Sequence, residues 1–129
     1  MYTLDTNIIS YFFKQNMQVT EKILDKFENL SLPVLVCSEC LFGARKIQNL
    51  LLEEKYYTFF ESFKIYDFDF VASDLFAVLK ADLQKKGKIV EDFDLMIASI
   101  CISNNLTLIT NNTKHFQNIP NLKLEDWTK

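Results

Sequence analysis

The chain has 129 residues, 49% of them hydrophobic and 24% charged, with a formal net charge of −3 at pH 7. That length suits one domain, residues 1–129, burying roughly two-thirds of the surface its unfolded chain exposes, and the composition excludes a disordered segment. No apolar run approaches the ~20 residues needed to cross a bilayer, and MYTLDTN lacks the basic start and long apolar core of a secretory signal, so a cytoplasmic protein is expected.

In chain order, Tyr2-Thr3-Leu4 reads as a very short strand that delivers Asp5 at its C-terminal end. Thr6 or Asn7 can cap a helix from Ile8 to Phe13, and Asp, Thr and Asn at a helix start are ordinary caps. Thr20-Glu21 opens a second helix, with Val19 and Leu24 placed for a hydrophobic staple around a Thr20 cap. Leu32 to Val36 is the next strand, Pro33 being tolerated at its start.

Cys37-Ser38-Glu39-Cys40 then leads into a helix through Leu41, Phe42, Ala44 and Ile47. A C-x-x-C at a helix N-terminus after a strand is where a thioredoxin-like redox pair sits, its thiol pKa lowered by the helix dipole. The competing reading makes Cys37 and Cys40 small buried residues of a reduced compartment. A structural zinc site needs four ligands, and only Cys101 and His115 remain to complete one. Glu39 is expected in the first turn of this helix.

Gln48 to Phe63 is helical, with Leu52, Tyr56, Phe59, Phe60 and Phe63 on one stripe. Leu50, Leu51 and Tyr57 fall outside it, as exposed apolar groups that mark a protein partner. Lys64-Ile65-Tyr66 is a third strand. Ala72, Leu75, Phe76, Leu79 and Leu83 recur at helical spacing from Phe70 to Lys86, and Gly87 is the natural stop. Lys85, Lys86 and Lys88 form the one basic cluster.

Glu91 to Asn112 organises the rest: an acidic helix start with Asp94 in its first turn, a helix apolar on several faces, an Asn104-Asn105 stop and the short strand Leu106 to Ile109. Thr110-Asn111-Asn112 ends that strand. A polar turn from Thr113 to Phe116 carries the single histidine, which nothing in the sequence pairs with a nucleophile. Leu122-Lys123-Leu124 is a last edge strand, with Trp127 anchoring the tail.

Strands alternating with helices imply a parallel sheet covered on both faces. Asp5, Glu39, Asp94 and Asn111 or Asn112 then fall at strand ends and helix starts, where α/β sheets build their sites. Gathered carboxylates without arginine partners are costly to ionise together. A divalent cation resolves that cost, and oxygen-only ligands suit magnesium or manganese. Such an ion activates water for in-line attack on a phosphodiester.

LDTNI at the start, E-x-L-F-G-A around Glu39, the run G-K-x-V-E-D-F-D-L-M-I-A, TLITNNTKHF and LKLEDW together resemble the PIN-domain endoribonuclease toxins of the VapC type. The resemblance covers nearly the whole chain. It implies a three-layer α/β/α sandwich with a parallel central sheet, RNA cleavage with Mg2+ or Mn2+, a VapB-type antitoxin partner and a homodimer. Carried over residue by residue, it makes Asp5, Glu39 and Asp94 the catalytic acids and metal ligands, and Asn112, where many PIN domains carry a fourth acid, the fourth catalytic residue. Val36 stands near where the family usually has Ser or Thr. The resemblance also places the antitoxin against the helices of the N-terminal part, on Leu50, Leu51, Tyr57 and the aromatics from Tyr11 to Phe13. RNA is then expected to be guided by Lys85, Lys86 and Lys88.

Other acid-bearing α/β sites fit less well. A haloacid-dehalogenase-type phosphatase needs Asp-x-Asp after its first strand, and here the second position is Asn7. A receiver domain needs paired acids before its first helix and a lysine after a late strand, and neither is present. The remaining alternatives are a thiol redox protein using Cys37 and Cys40, and a catalytically silent PIN binding module.

Overall fold

The computed structural model describes residues 1–129 as five strands and seven α-helices. The strands are β1 (Tyr2–Leu4), β2 (Leu30–Pro33), β3 (Lys64–Tyr66), β4 (Thr107–Ile109) and β5 (Lys123–Glu125), all paired in parallel in the order β3-β2-β1-β4-β5. Parallel neighbours need crossovers, and those between β1, β2 and β3 run opposite in direction to those reaching β4 and β5. Right-handed crossovers therefore put the two sets of helices on opposite faces. The helices α1 (Thr6–Phe13), α2 (Met17–Asp25), α3 (Val34–Lys46) and α4 (Leu50–Glu61) pack as one layer, α1 on α2 and α3, and α3 on α4. In the other layer α6 (Asp92–Ser103) packs on both α5 (Phe70–Lys85) and α7 (Thr113–Phe116). The result is the expected α/β/α sandwich.

The centre of the sheet is closed to water on both faces. Leu4, Leu32, Leu108 and Ile109 from the strands are fully buried, with Ile8 and Ile9 of α1 and Ile97 and Ile100 of α6. Each such side chain contributes about 1.5–3 kcal/mol relative to exposure. The helix α6 is apolar nearly all round because its Leu95 to Cys101 stretch is buried residue after residue, except Met96. Two polar residues inside the strands are also buried, and both are satisfied reciprocally. Thr3 Oγ1 donates to the Ser31 carbonyl at 3.1 Å and Ser31 Oγ to the Tyr2 carbonyl at 2.9 Å. No buried side-chain nitrogen or oxygen lacks a partner.

Several boundaries differ from the sequence reading. The second strand ends at Pro33 rather than beginning there, and Val34-Leu35-Val36 is already helix. Pro33, with φ −72° and ψ 138°, closes the strand and stands at the helix start. A short apolar run suits a buried strand or a buried helix equally. What separates them here is that Val36, Cys40 and Ala44, four apart, are all buried. The second helix starts at Met17, capped by Asn16, whose side chain accepts from Val19 N at 3.0 Å. Thr20 is thus inside the helix, and Leu24, 64% exposed, forms no staple. The first helix begins at Thr6 with Asp5 as its cap. Asn105 and Gly87 take the left-handed conformation, φ 53° and 69°, just past the ends of α6 and α5, as helix stops require.

Trp127 is 2% exposed, and its ring meets Tyr2 edge-on at 5.4 Å, so the tail is pinned to the first strand. Trp127→Ala should lower unfolding free energy by about 3–5 kcal/mol, whereas Leu24→Ala should change it by less than about 0.5 kcal/mol. Urea midpoints at constant m value measure both. An equal effect of the two would contradict the burial described.

Candidate active site

The order β3-β2-β1-β4-β5 changes direction between β1 and β4, and the crevice outside the carboxyl ends of those two strands is where open α/β sheets hold ligands. Residues at both ends meet there. Asp5 follows β1, its backbone N–H extending the ladder to the Ile109 carbonyl at 2.9 Å. The residue is 6% exposed, and both carboxylate oxygens accept hydrogen bonds. Oδ1 accepts from Thr6 N at 2.8 Å, and Oδ2 from Thr110 Oγ1 at 2.9 Å and Asn7 Nδ2 at 3.2 Å. Thr110 follows β4, is fully buried and itself accepts from Asn112 N at 3.0 Å. Asn7 Oδ1 accepts from Asn111 N at 3.0 Å, so α1 and the segment after β4 are tied twice. Asp5 is therefore both a helix cap and the centre of a buried network.

Glu39 reaches the same crevice from α3. It lies in the second turn of that helix, not the first, because the helix begins earlier than the sequence suggests. Thr6 Oγ1 donates to its Oε1, which fixes it at the rim over the start of α1. Asp94, in the first turn of α6 as expected, arrives from the opposite layer with its side chain 22% exposed. His115 of α7 stands beside it, Nδ1 at 3.6 Å from Asp94 Oδ2.

Burial raises the pKa of all three acids above the usual carboxylate range. For Asp5 the hydrogen bonds from Thr110, Thr6 and Asn7, and then His115, oppose the rise. For Glu39 burial is followed by the opposing Thr6 bond and by repulsion from Asp5 and Asp94. For Asp94 burial is followed by the Asp5 charge, with His115 acting in the other direction and Glu91 adding to the rise. The three acids thus sense one another as like charges.

Asn112 is exposed at the start of α7, and its backbone rather than its amide joins the network. The sequence reading passed over Asn7, Thr110 and His115. Asn7 and Thr110 read there as a cap and a strand stop. The signal was their place directly after two strands that the parallel order makes neighbours. For His115 there was no local signal, because its partner is twenty-one positions away on another helix.

No three acidic, histidine or cysteine side chains already stand as a metal cage. The donor set nonetheless fits a hard cation that keeps most of its water and takes only one or two carboxylates directly, as magnesium does. Crowded acids with raised pKa values and no basic partner closer than a histidine are a deficit that such an ion corrects.

The cysteines fit no redox site. Cys37, Cys40 and Cys101 are buried and free. Cys37 and Cys40 lie on the buried face of α3 past its first turn, and burial pushes their thiols up to about 11 and about 12. Burial raises Cys101 as well. A reactive thiol needs the opposite shift.

A second surface lies around the end of α1. Phe12, Phe13, Tyr56, Phe59 and Phe63 form a continuous aromatic cluster with centroid separations of 4.9–5.7 Å. Two open clefts of about 530 and 540 Å³ flank it and share Phe13 and Lys55. Phe12 and Met17 line the first, Leu51 and Phe59 the second. Leu50, Leu51 and Tyr57 are exposed as expected, but the Tyr57 hydroxyl is held by Arg45 Nη2 at 2.6 Å and lines neither cleft.

An all-parallel five-stranded sheet with acids at its central carboxyl edge defines a PIN-type α/β protein. The PIN domain family model matches residues 2–122. Ribonuclease VapC2 of Rickettsia felis is 35% identical over 100% of this chain and 99% of its own. The tRNA(fMet)-specific endonuclease VapC of Shigella flexneri is 30% identical over 98% of each chain. A crystal structure of VapBC2 from Rickettsia felis, bound to a DNA fragment from the promoter, superposes with a TM-score of 0.88 at 32% identity, covering 98% of both chains. The chain belongs to the PIN-domain family, among its VapC-type members.

The raised carboxylates set a sign for the pH dependence of stability. A group whose folded pKa is raised holds its proton more tightly in the folded state, so its stabilising contribution is full at low pH and is lost as pH rises through the folded value. Without added metal, Asp94→Asn should therefore be at least as stable as the unsubstituted chain at neutral pH, the difference vanishing on acidification. Thermal melts across that range measure it. A mutant less stable at neutral pH would contradict the electrostatic account.

Proposed function

We propose that this chain, acting as a single PIN domain, is a magnesium- or manganese-dependent endoribonuclease that cuts RNA in the cytoplasm. That it is a VapC-type ribonuclease toxin of a VapBC toxin–antitoxin pair rests on the full-length likeness to proteins named as ribonuclease and endonuclease VapC. The observation that carries the chemistry is the meeting of Asp5, Glu39 and Asp94 at the crevice between β1 and β4. No helix is long and apolar enough to cross a membrane.

In this reading Asp5 and Asp94 hold the ion, and Glu39 joins them from the rim. The ion supplies positive charge to phosphate oxygens and lowers the pKa of a water for in-line attack. The protein's part is to hold the acids in place. Thr110, Asn7 and the Thr6 N–H direct the Asp5 lone pairs. Thr6 Oγ1 holds Glu39 in place, and His115 restrains Asp94 from the far side. Glu39, the least buried of the three, is placed to accept the proton released by the attacking water. Asn112 brings no charge, and its backbone N–H keeps the Thr110 hydroxyl oriented.

Asp5→Asn and Asp94→Asn should each lower RNA cleavage by about 100-fold or more while leaving the fold intact. Chelation should abolish cleavage, and magnesium or manganese should restore it. Near-normal cleavage by either mutant would overturn the assignment.

The VapB-type antitoxin is the partner of the aromatic surface, because the clefts beside Phe13 offer room for an amphipathic helix laid in a groove. VapBC2 of Rickettsia felis is a toxin–antitoxin complex, and this chain follows its fold closely. Assembly as a homodimer belongs to the same reading. Leu51→Glu should weaken inhibition by the antitoxin and leave RNA cleavage unchanged, as read by cleavage titrated with antitoxin. Loss of cleavage itself would mean that the two surfaces are one.

A further inference from the structure

Beside Asp94 lies a cleft whose other lining residues the proposed chemistry does not use. It has a volume of about 220 Å³ and is lined by Ile89, Val90, Glu91, Asp94, Lys114, His115 and Asn118. Its lining is mixed in character. Glu91 and Asp94 come from the start of α6. Lys114 and His115 come from α7 and Asn118 from the turn after it, and they bring cationic or hydrogen-bonding groups. Ile89 and Val90 are its aliphatic part. Ile89 there is 93% exposed, the most exposed large apolar side chain of the molecule. Ile89 and Val90 also border a smaller cleft of about 80 Å³ that contains Lys80, Gln84 and Lys88.

We infer that the cleft beside Asp94 is a nucleotide subsite, holding the RNA residue next to the bond that is cut. This rests on the ribonuclease reading and adds the side chains that grip the strand. Lys114 is the one lysine in the lining and Glu91 the carboxylate there that holds no ion in this reading, so a phosphate of the strand is drawn to the Lys114 side of the cleft. Lys114 carries no ion pair, whereas Lys86 is held by Asp82 at 3.0 Å and Lys80 by Asp92 at 2.9 Å. Of the lysines expected to guide RNA, Lys86 is thus engaged, Lys85 and Lys88 carry no ion pair, and Lys114 joins them, with Lys88 lining the smaller cleft. A base face meets Ile89 and Val90, where dispersion repays the exposure of an isoleucine. Asn118, whose amide has both a donor and an acceptor, lines the cleft where a base edge can be read. His115 is a positioning residue in this arrangement: it stands 3.6 Å from Asp94 and lines the same cleft.

The test uses the full chain and short single-stranded oligoribonucleotides of differing base composition. Binding is read by fluorescence anisotropy in chelator, where metal-supported cutting is off, and cleavage is read separately with magnesium. Lys114→Ala should weaken binding about fivefold and lower the slope of log affinity against log salt by about 0.7, the value for one phosphate of a single strand. Asn118→Ala should leave that slope unchanged and reduce discrimination among the oligonucleotides by about fivefold. Lys22→Ala, on the outer face of α2, should do neither. Wild-type binding with these mutant effects but without cleavage would sink the ribonuclease reading and leave the subsite standing. Wild-type cleavage with no effect of Lys114→Ala or Asn118→Ala would overturn the subsite alone. Failure of the unsubstituted chain to bind or cut any oligonucleotide would overturn both. If the two substitutions spared RNA and weakened antitoxin inhibition instead, the cleft would be a protein contact and the inference wrong.

Discussion

The hydrogen-bonded knot of Asp5, Asn7 and Thr110 is the constraint from which the site follows. A carboxylate almost out of solvent contact at the centre of a sheet is tolerable only when each oxygen has a partner, since an unpaired buried charge costs several kcal/mol. Here both oxygens are matched. The partners come from the start of α1 and from the residue after β4, so satisfying Asp5 also fixes the spacing of the two central strands. The loop after β4 is then held by Asn7 and Tyr11, which bind the backbone and side chain of Asn111. The placement of the proposed metal-holding acid and the closing of the sheet are one set of bonds.

The layers contribute unequally around that knot. The α1–α4 layer brings Glu39 and the large aromatic surface, and the α5–α7 layer brings Asp94, His115 and the lysine-bearing rim. The sheet keeps these two helical layers apart, so the acid-lined crevice and the aromatic surface lie on separate parts of one small molecule. The cost is borne by α6, which must be apolar on nearly every face to pass behind the site, and whose one polar residue away from the ends, Ser99, is buried and returns its hydroxyl to the Leu95 carbonyl.

Much of this was legible in the sequence, and the failures have physical causes. The alternation of strands and helices gave the parallel sandwich, and the run from Glu91 to Asn112 gave α6 and β4 nearly as they are. Asp5 ends its strand and Asp94 stands in the first turn of its helix as their positions implied, whereas Glu39 reaches the same crevice from a second turn. The errors cluster where an apolar run carries no periodicity, as at Val34-Leu35-Val36, or where neighbouring polar residues compete to cap, as at Asn16 and Thr20. His115 escaped notice for a different reason. Its environment is made entirely by residues distant in the chain, and no local pattern reports such a neighbour. Leu24 misled because helical spacing alone does not say which face a short helix buries.

The edges of the sheet carry a consequence for assembly. Both border strands, β3 and β5, are only three residues long, and both open with a lysine. Lys64 lies over the Tyr66 ring at 4.6 Å, and Lys123 reaches the Asn105 amide oxygen at 3.0 Å. Short, lysine-bearing edges are poor templates for a further strand. Copies of this chain accumulating without a partner are thereby protected against stacking into continuous ribbons. Any specific union must be made through helices and their side chains, where a few substitutions can change which partner is accepted.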